Sequence, residues 1–180
     1  MNLNRYTEKA QEAILAAQQL AERAGHPEVL PEHLLLALMN QPDGIVPAVL
    51  GKMNVDVARL AGSVEGLVSK LPRVQGGATP GLSSRVRTVF RNAEQEAERL
   101  KDEFTSTEHL LLALASESGR GLAGDLLKKD GVTKDAILQA LAQVRGSQRV
   151  TDQNPEGKYQ ALERYGRDLT EVARKGSSIP

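Results

Sequence analysis

Three histidines are the side chains best suited to acid–base or metal chemistry in this sequence: His26, His33 and His109. Two of them follow a glutamate, as Glu32-His33 and Glu108-His109. Adjacent residues on a helix diverge by about 100°, so neither Glu-His pair converges on one ion or one proton. A zinc-protease helix needs two histidines one turn apart, in the pattern H-E-x-x-H, and neither segment spells it. There is no cysteine, which removes thiolate nucleophiles, disulfides and zinc knuckles together. No stretch reads G-x-x-x-x-G-K-[ST]; the glycines at Gly76-Gly77 and Gly119–Gly124 lack the following Lys-Ser/Thr. The histidines are therefore read as core-edge residues. The chain is read as no enzyme in itself, with neither metal nor cofactor in this stretch. Glu32 and Glu108 open their helices, where a carboxylate stabilises the helix dipole by ~0.3–1 kcal/mol. Thr105-x-x-Glu108 also spells a capping box.

The elements that carry these residues are helical. Ala10, Ala13, Ile14, Ala17, Leu20, Ala21 and Ala24 recur at three- and four-residue steps behind an N-capping Thr7, and Gly25 stops the run. Pro31 suits a helix's first turn, and Glu32–Met39 (EHLLLALM) is apolar on nearly every side, which marks it as central to a core. A short helix over Val46–Met53 and a longer one over Asp56–Leu71 complete the unit. The sequence then repeats. EHLLLAL returns letter for letter 76 residues later, with Glu32 recurring as Glu108. On that offset Thr7 falls on Ser83, Ile14 on Phe90 and Ala21 on Ala97; one residue of slip then matches Leu50 to Leu127 and Leu60 to Ile137. The expected fold is all-α: two pseudo-symmetric four-helix units, residues 1–71 and 82–145, packed face to face around both EHLLLAL segments. Leu71–Leu82 joins them as an extended linker. Gly146–Lys158, polar with Gly and Pro, reads as a second, flexible one. Tyr159–Lys175 is helix-like, matches neither unit, and reads as the opening of a further domain cut short.

Composition narrows the partners. Twenty-three basic residues balance twenty-three acidic ones, so no global field draws the chain to nucleic acid or an anionic membrane. Aromatics are 3% with no tryptophan, which leaves little to stack on bases. No stretch approaches the ~20 apolar residues of a membrane span. A cytoplasmic protein with no membrane or nucleic-acid partner is the default expectation.

The doubled pattern of a Thr/Ser-capped helix followed by (T/P)EHLLLAL resembles the repeated N-terminal domain of Clp-type AAA+ unfoldases. The resemblance covers about residues 1–145. MNLNRYT at the start and YQALERYGRDLTEVAR after the polar linker resemble the ClpB disaggregase type, the latter as the entry to a first ATPase module. After Lys175-Gly176 such proteins usually continue Leu-Asp-Pro-Val-Ile-Gly-Arg, whereas this chain ends Ser177-Ser178-Ile179-Pro180. The resemblance implies a chaperone module that gathers unfolded or aggregated clients for a hexameric threading machine. The parent would use ATP and Mg and work with a DnaK-type partner; this stretch alone would be monomeric. An adaptor dock feeding a ClpP-type protease is the alternative within the family. The resemblance also implies client-handling roles at Thr7, Glu32, Asp102, Glu103 and Glu108, with Asp102, Glu103 and Glu108 forming an acidic rim. Phe90 and Leu100 read as core residues beside a client groove.

A chain without a phosphate loop should neither hydrolyse ATP nor gain stability from it. Mg-ATP should leave the melting temperature unchanged; a rise of several degrees would reveal a nucleotide site.

Overall fold

The computed structural model describes residues 2–77, 79–119, 122–146 and 148–155. The helix read over 159–175 lies outside them. Among the described residues the first copy carries α1 (Glu8–Arg23), α2 (Pro31–Met39), α3 (Ile45–Lys52) and α4 (Val57–Ser69). The second carries α5 (Ser84–Arg99), α6 (Thr107–Ala115), α7 (Ala123–Lys129) and α8 (Lys134–Arg145). The caps follow the sequence. Thr7 and Ser83 each accept the amide of the residue three further on, Ala10 at 3.2 Å and Val86 at 3.1 Å. Asp56 and Thr133 do the same for α4 and α8. Each bond satisfies a donor that the helix start leaves unpaired.

All nine residues of α2 are buried, as are Thr107–Leu114 of α6. A helix apolar on every side must be covered on every side, and one four-helix unit has too few helices to do so. The two units therefore cover one another: α2 packs on α6, α3 on α6 and α8, and α4 on α7. Leu34, Leu35, Leu38, Leu110, Leu111, Leu112 and Leu114 all sit in one shared core.

The duplication is geometric as well as textual. The strand Glu28–Val29 (β1) pairs in parallel with Gly81–Leu82 (β2), so the first linker is pinned to copy one by its end. Tyr6 pairs with Thr105 in the same sense, and these two residues are the counterparts of Leu82 and Val29 with the copies exchanged. Ser83 N–H donates to Val29 O at 3.1 Å; its counterpart, Thr7 N–H, donates to Thr105 O at 2.9 Å. Each copy lends the residues before its first helix to the loop before the other's second helix. That exchange is what a pseudo-two-fold axis requires.

Leu35 and Leu111 are fully buried at equivalent places. Replacing either by Ala should cost ~2–5 kcal/mol in urea unfolding, the span covering how far the site can collapse. A cost below ~1 kcal/mol at both would deny them a common core.

Candidate functional site

His33 and His109 hold the third position of α2 and α6. There the ring reaches back to the backbone N–H that precedes the helix. Leu30 N–H donates to His33 Nδ1 at 2.9 Å, and Ser106 N–H to His109 Nδ1 at 2.8 Å. The reciprocal cap read at Thr105 and Glu108 thus lies one residue later, at Ser106 and His109. A histidine supplies what Glu usually supplies. With Nδ1 accepting, the ring proton sits on Nε2 and points to the loop seven residues upstream. In copy one it meets His26 Nδ1 at 2.8 Å; in copy two it meets Asp102 Oδ2 at 2.7 Å. His26 and Asp102 are themselves equivalent positions, so one architecture now holds two different polar partners. Among the described residues no group of three or more His, Cys, Asp or Glu could hold a metal ion.

Asp102 is the best-connected side chain of the site. Its Oδ1 accepts from Arg145 Nη2 at 2.6 Å and from Val150 N–H at 2.9 Å; its Oδ2 accepts from Arg145 Nη1 at 3.0 Å as well as from His109. Burial alone would raise its pKa, but the hydrogen bonds from His109, Arg145 and Val150 prevail and hold it at about 2. The bidentate guanidinium pairing is the geometry that arginine's rigid fork favours. Arg145 Nη1 also lies 3.7 Å from Glu108 Oε2. Glu108 is wholly enclosed, and neither of its carboxylate oxygens has a hydrogen-bond partner on another residue. Desolvation therefore pushes its pKa up, against the pull of His109 and Arg145.

The acidic rim expected from the sequence does not form. Glu103 alone is exposed; Asp102 and Glu108 are turned inward, because the copy-two loop closes over Arg145. Thr7 is buried and caps α1. Glu32, also buried, accepts from Arg85 of the other copy at 2.9 Å, and Arg85 binds Glu117 as well. The loop thus gathers Thr7, Asp102, Glu103 and Glu108, while Glu32 belongs to a separate cross-copy ion pair. Sequence reasoning missed Arg145 and Arg85, whose partners lie 43 and 53 residues away. Just before Asp102, Lys101 adopts a left-handed φ of 58°; its counterpart in copy one, Gly25, takes a φ of 72° freely. A lysine there costs ~1–2 kcal/mol, so the surrounding bonds must hold the loop in place.

The second linker is not free where it leaves α8. Val150 is fully buried, Glu103 N–H donates to Val150 O at 2.7 Å, and Glu8 N–H to Gln153 O at 2.8 Å. Of the tether expected over Gly146–Lys158, residues 148–153 are fastened to the domain, because their main chain completes the polar network around Asp102. A groove of about 560 Å³ opens elsewhere, on the outer face of α5. Leu82 and Phe90 line its floor, and Arg87, Thr88, Arg91 and Glu94 its rim. Phe90 packs edge-on against Tyr6, ring centroids 6.1 Å apart, so the floor is braced by the other copy. Phe90 is a core residue as expected, with one face left to the groove. Leu100 lines a smaller cavity beside α8.

The family profile of the Clp repeat (R) N-terminal domain matches residues 5–129. This chain belongs to that family. Over its whole length it is 46% identical to the chaperone protein ClpB of Bacillus cereus, and covers 21% of that protein. Against ClpB of Bdellovibrio bacteriovorus the identity is 43%, over 97% of this chain and 20% of that protein. The chain spans about a fifth of the length of these curated relatives. Among solved structures, the Hsp104 N-terminal domain from Candida albicans has a TM-score of 0.73 at 23% identity, covering 84% of this chain and 98% of that one, which shows a common all-α fold. Among the described residues no helix is long and apolar enough to cross a membrane.

The histidine pair of copy one gives this Clp domain a distinct acid sensitivity. Burial, and then the neighbouring His26, lower the His33 pKa to about 4, so the folded state keeps a ring neutral that the unfolded chain protonates below pH ~6.5. The unfolded state then binds more protons, and stability is full above ~6.5 and falls towards 4 by up to ~1.4 kcal/mol per pH unit. Urea midpoints from pH 7.5 to 4.5 should show this fall in the wild type and a shallower one in His33→Gln. Parallel curves would mean that His33 does not titrate in that window.

Proposed function

We propose that this domain is the client-collecting module of a ClpB-type disaggregase, and that it presents unfolded polypeptide to an ATP-driven threading ring. The observation that carries the reading is the groove on α5. It joins an apolar floor of Leu82 and Phe90 to a rim of two arginines and one glutamate. Such a surface suits segments of mixed composition: the floor takes an apolar side chain, and the flanking charges tolerate either sign. Exposed rim charges contribute under ~1 kcal/mol each and are screened by salt, so capture is weak and reversible. Weak capture is what threading requires, since a tightly held client would resist transfer to a pore.

In this reading the five acidic-site residues divide in two. Glu103 is exposed and touches clients directly. Thr7, Asp102 and Glu108 act from within, by fixing the loop that presents Glu103, while Glu32 holds α5 through Arg85. The proposed whole protein is hexameric and cytoplasmic, binds ATP and Mg in modules beyond this one, and hands clients on with a DnaK-type partner. ClpB relatives that match the whole chain, the second linker included, favour this over an adaptor dock for a ClpP-type protease.

Thr88 is exposed on the groove rim, so Thr88→Trp should fill the groove without disturbing the core. Titrated with an unfolded apolar polypeptide and followed by amide chemical shifts, the wild type should bind at high-micromolar to millimolar Kd. Thr88→Trp should weaken this several-fold at an unchanged melting temperature, and Glu108→Gln should leave it within about twofold, a few tenths of a kcal/mol. Equal binding by Thr88→Trp would move the client site away from α5.

A further inference from the structure

The strap that leaves α8, residues 148–153, is held almost wholly by its main chain. Gln148 O accepts from Arg145 Nε at 3.2 Å and Nη2 at 3.0 Å. Val150 gives its N–H to Asp102 Oδ1 at 2.9 Å, and its carbonyl accepts from Glu103 N–H at 2.7 Å. Gln153 O accepts from Glu8 N–H, one of the amides left unpaired at the start of α1. Among the strap's side chains, Gln153 Nε2 donates to Asn4 O at 3.0 Å, Asp152 Oδ1 accepts from Asn154 N–H at 2.9 Å, and the Val150 side chain fills a fully buried socket. Arg149 and Thr151 face solvent. Recognition therefore runs chiefly through main-chain atoms and one small aliphatic side chain, and is indifferent to what stands at the exposed positions 149 and 151.

Copy one makes a looser version of the same return. There Val74 also returns to the corresponding loop, its N–H donating to Gly25 O at 2.8 Å. With His26 in place of Asp102, however, no carboxylate clamps that amide, and Val74 is 50% exposed. Only the second copy combines the buried carboxylate with an arginine and a histidine that aim it.

We propose that the cleft holding residues 148–153 is a binding site for extended polypeptide, occupied in cis by this strap and open in trans to an unfolded segment centred on a valine-like residue. The inference rests on the client-capture reading and adds a second, gated site to it. Main-chain hydrogen bonds that supply affinity, with a pocket for one side chain that supplies selectivity, are a general means of peptide recognition. A tethered ligand competes at an effective concentration on the order of millimolar. Single free segments therefore displace it rarely, whereas an aggregate offering many segments at once displaces it readily. Displacement frees the strap and lengthens the tether to whatever follows, so occupancy of the cleft is coupled to the reach of the domain.

The probe is a capped hexapeptide with the sequence of residues 148–153, titrated against the 180-residue chain and followed at the Glu103 amide. Val150→Asp, which expels the strap, should bind it at least about tenfold tighter than the wild type. An N-methylvaline version, lacking the clamped N–H, should lose at least about tenfold. Equal binding to both chains, or indifference to N-methylation, overturns the proposal. Should Val150→Asp fail to fold, the wild type still decides: excess peptide should speed exchange of the Val150 amide several-fold, and an unchanged rate overturns the proposal. An unfolded client that shifts Thr88 and Arg91 but leaves Val150 and Gln153 untouched removes this inference and leaves capture at α5 standing. A client that shifts neither set removes both.

Discussion

The constraint on which this domain depends is that α2 and α6 have no polar face. An ordinary surface helix spends half its circumference on solvent, whereas these two must be enclosed on all sides. One four-helix unit leaves its EHLLLAL segment uncovered along one flank, and the other unit covers it. The exchange of Tyr6 with Thr105, and of Leu82 with Val29, follows from that demand, since it locks the two units into the one orientation that closes both flanks. Neither half should be expected to fold without the other.

Enclosing a helix start creates a second demand. The amides at the first turns of α2 and α6 lie too deep for water, so side chains must satisfy them. Histidine does this at His33 and His109, and its second nitrogen then requires a partner of its own. The answers differ between the copies. A neutral pair with His26 serves copy one, while copy two uses a charged aspartate that in turn needs Arg145. The charged solution has a consequence that the neutral one lacks. A buried carboxylate with spare lone pairs can accept a backbone amide from a passing chain, and Val150 supplies it. Duplication thus left one copy as plain structure and gave the other a latch for the chain that follows it.

Glu108 shows how far that arrangement is strained. Its equivalent, Glu32, has Arg85 from across the interface; the residue that corresponds to Arg85 in copy one is Lys9, which pairs instead with Glu12 at 3.6 Å. Glu108 is left facing Arg145, whose guanidinium is already committed to Asp102. A raised pKa is the expected result of burying a carboxylate beside a cation with no hydrogen bond to spare.

Much of this was legible in the sequence, because the signals involved are local or textual. Helical periodicity depends on residues three and four apart, and caps on residues three apart, so the helices and their starts could be read directly. A seven-letter identity at a fixed offset likewise announces two equivalent units, and with them a shared core around Leu35 and Leu111. The fate of the polar residues was not legible. Thr7, Asp102 and Glu108 are acceptable surface residues by composition, and only packing decides that they face inward while Glu103 faces out. The meeting of Asp102 with Arg145 and Val150 spans more than forty residues and leaves no periodic trace. The second linker reads as flexible because its residues are polar. Its residues 148–153 are fixed because main-chain atoms, which every residue carries and no sequence reveals, find donors and acceptors in a cleft that exists only once both copies have folded.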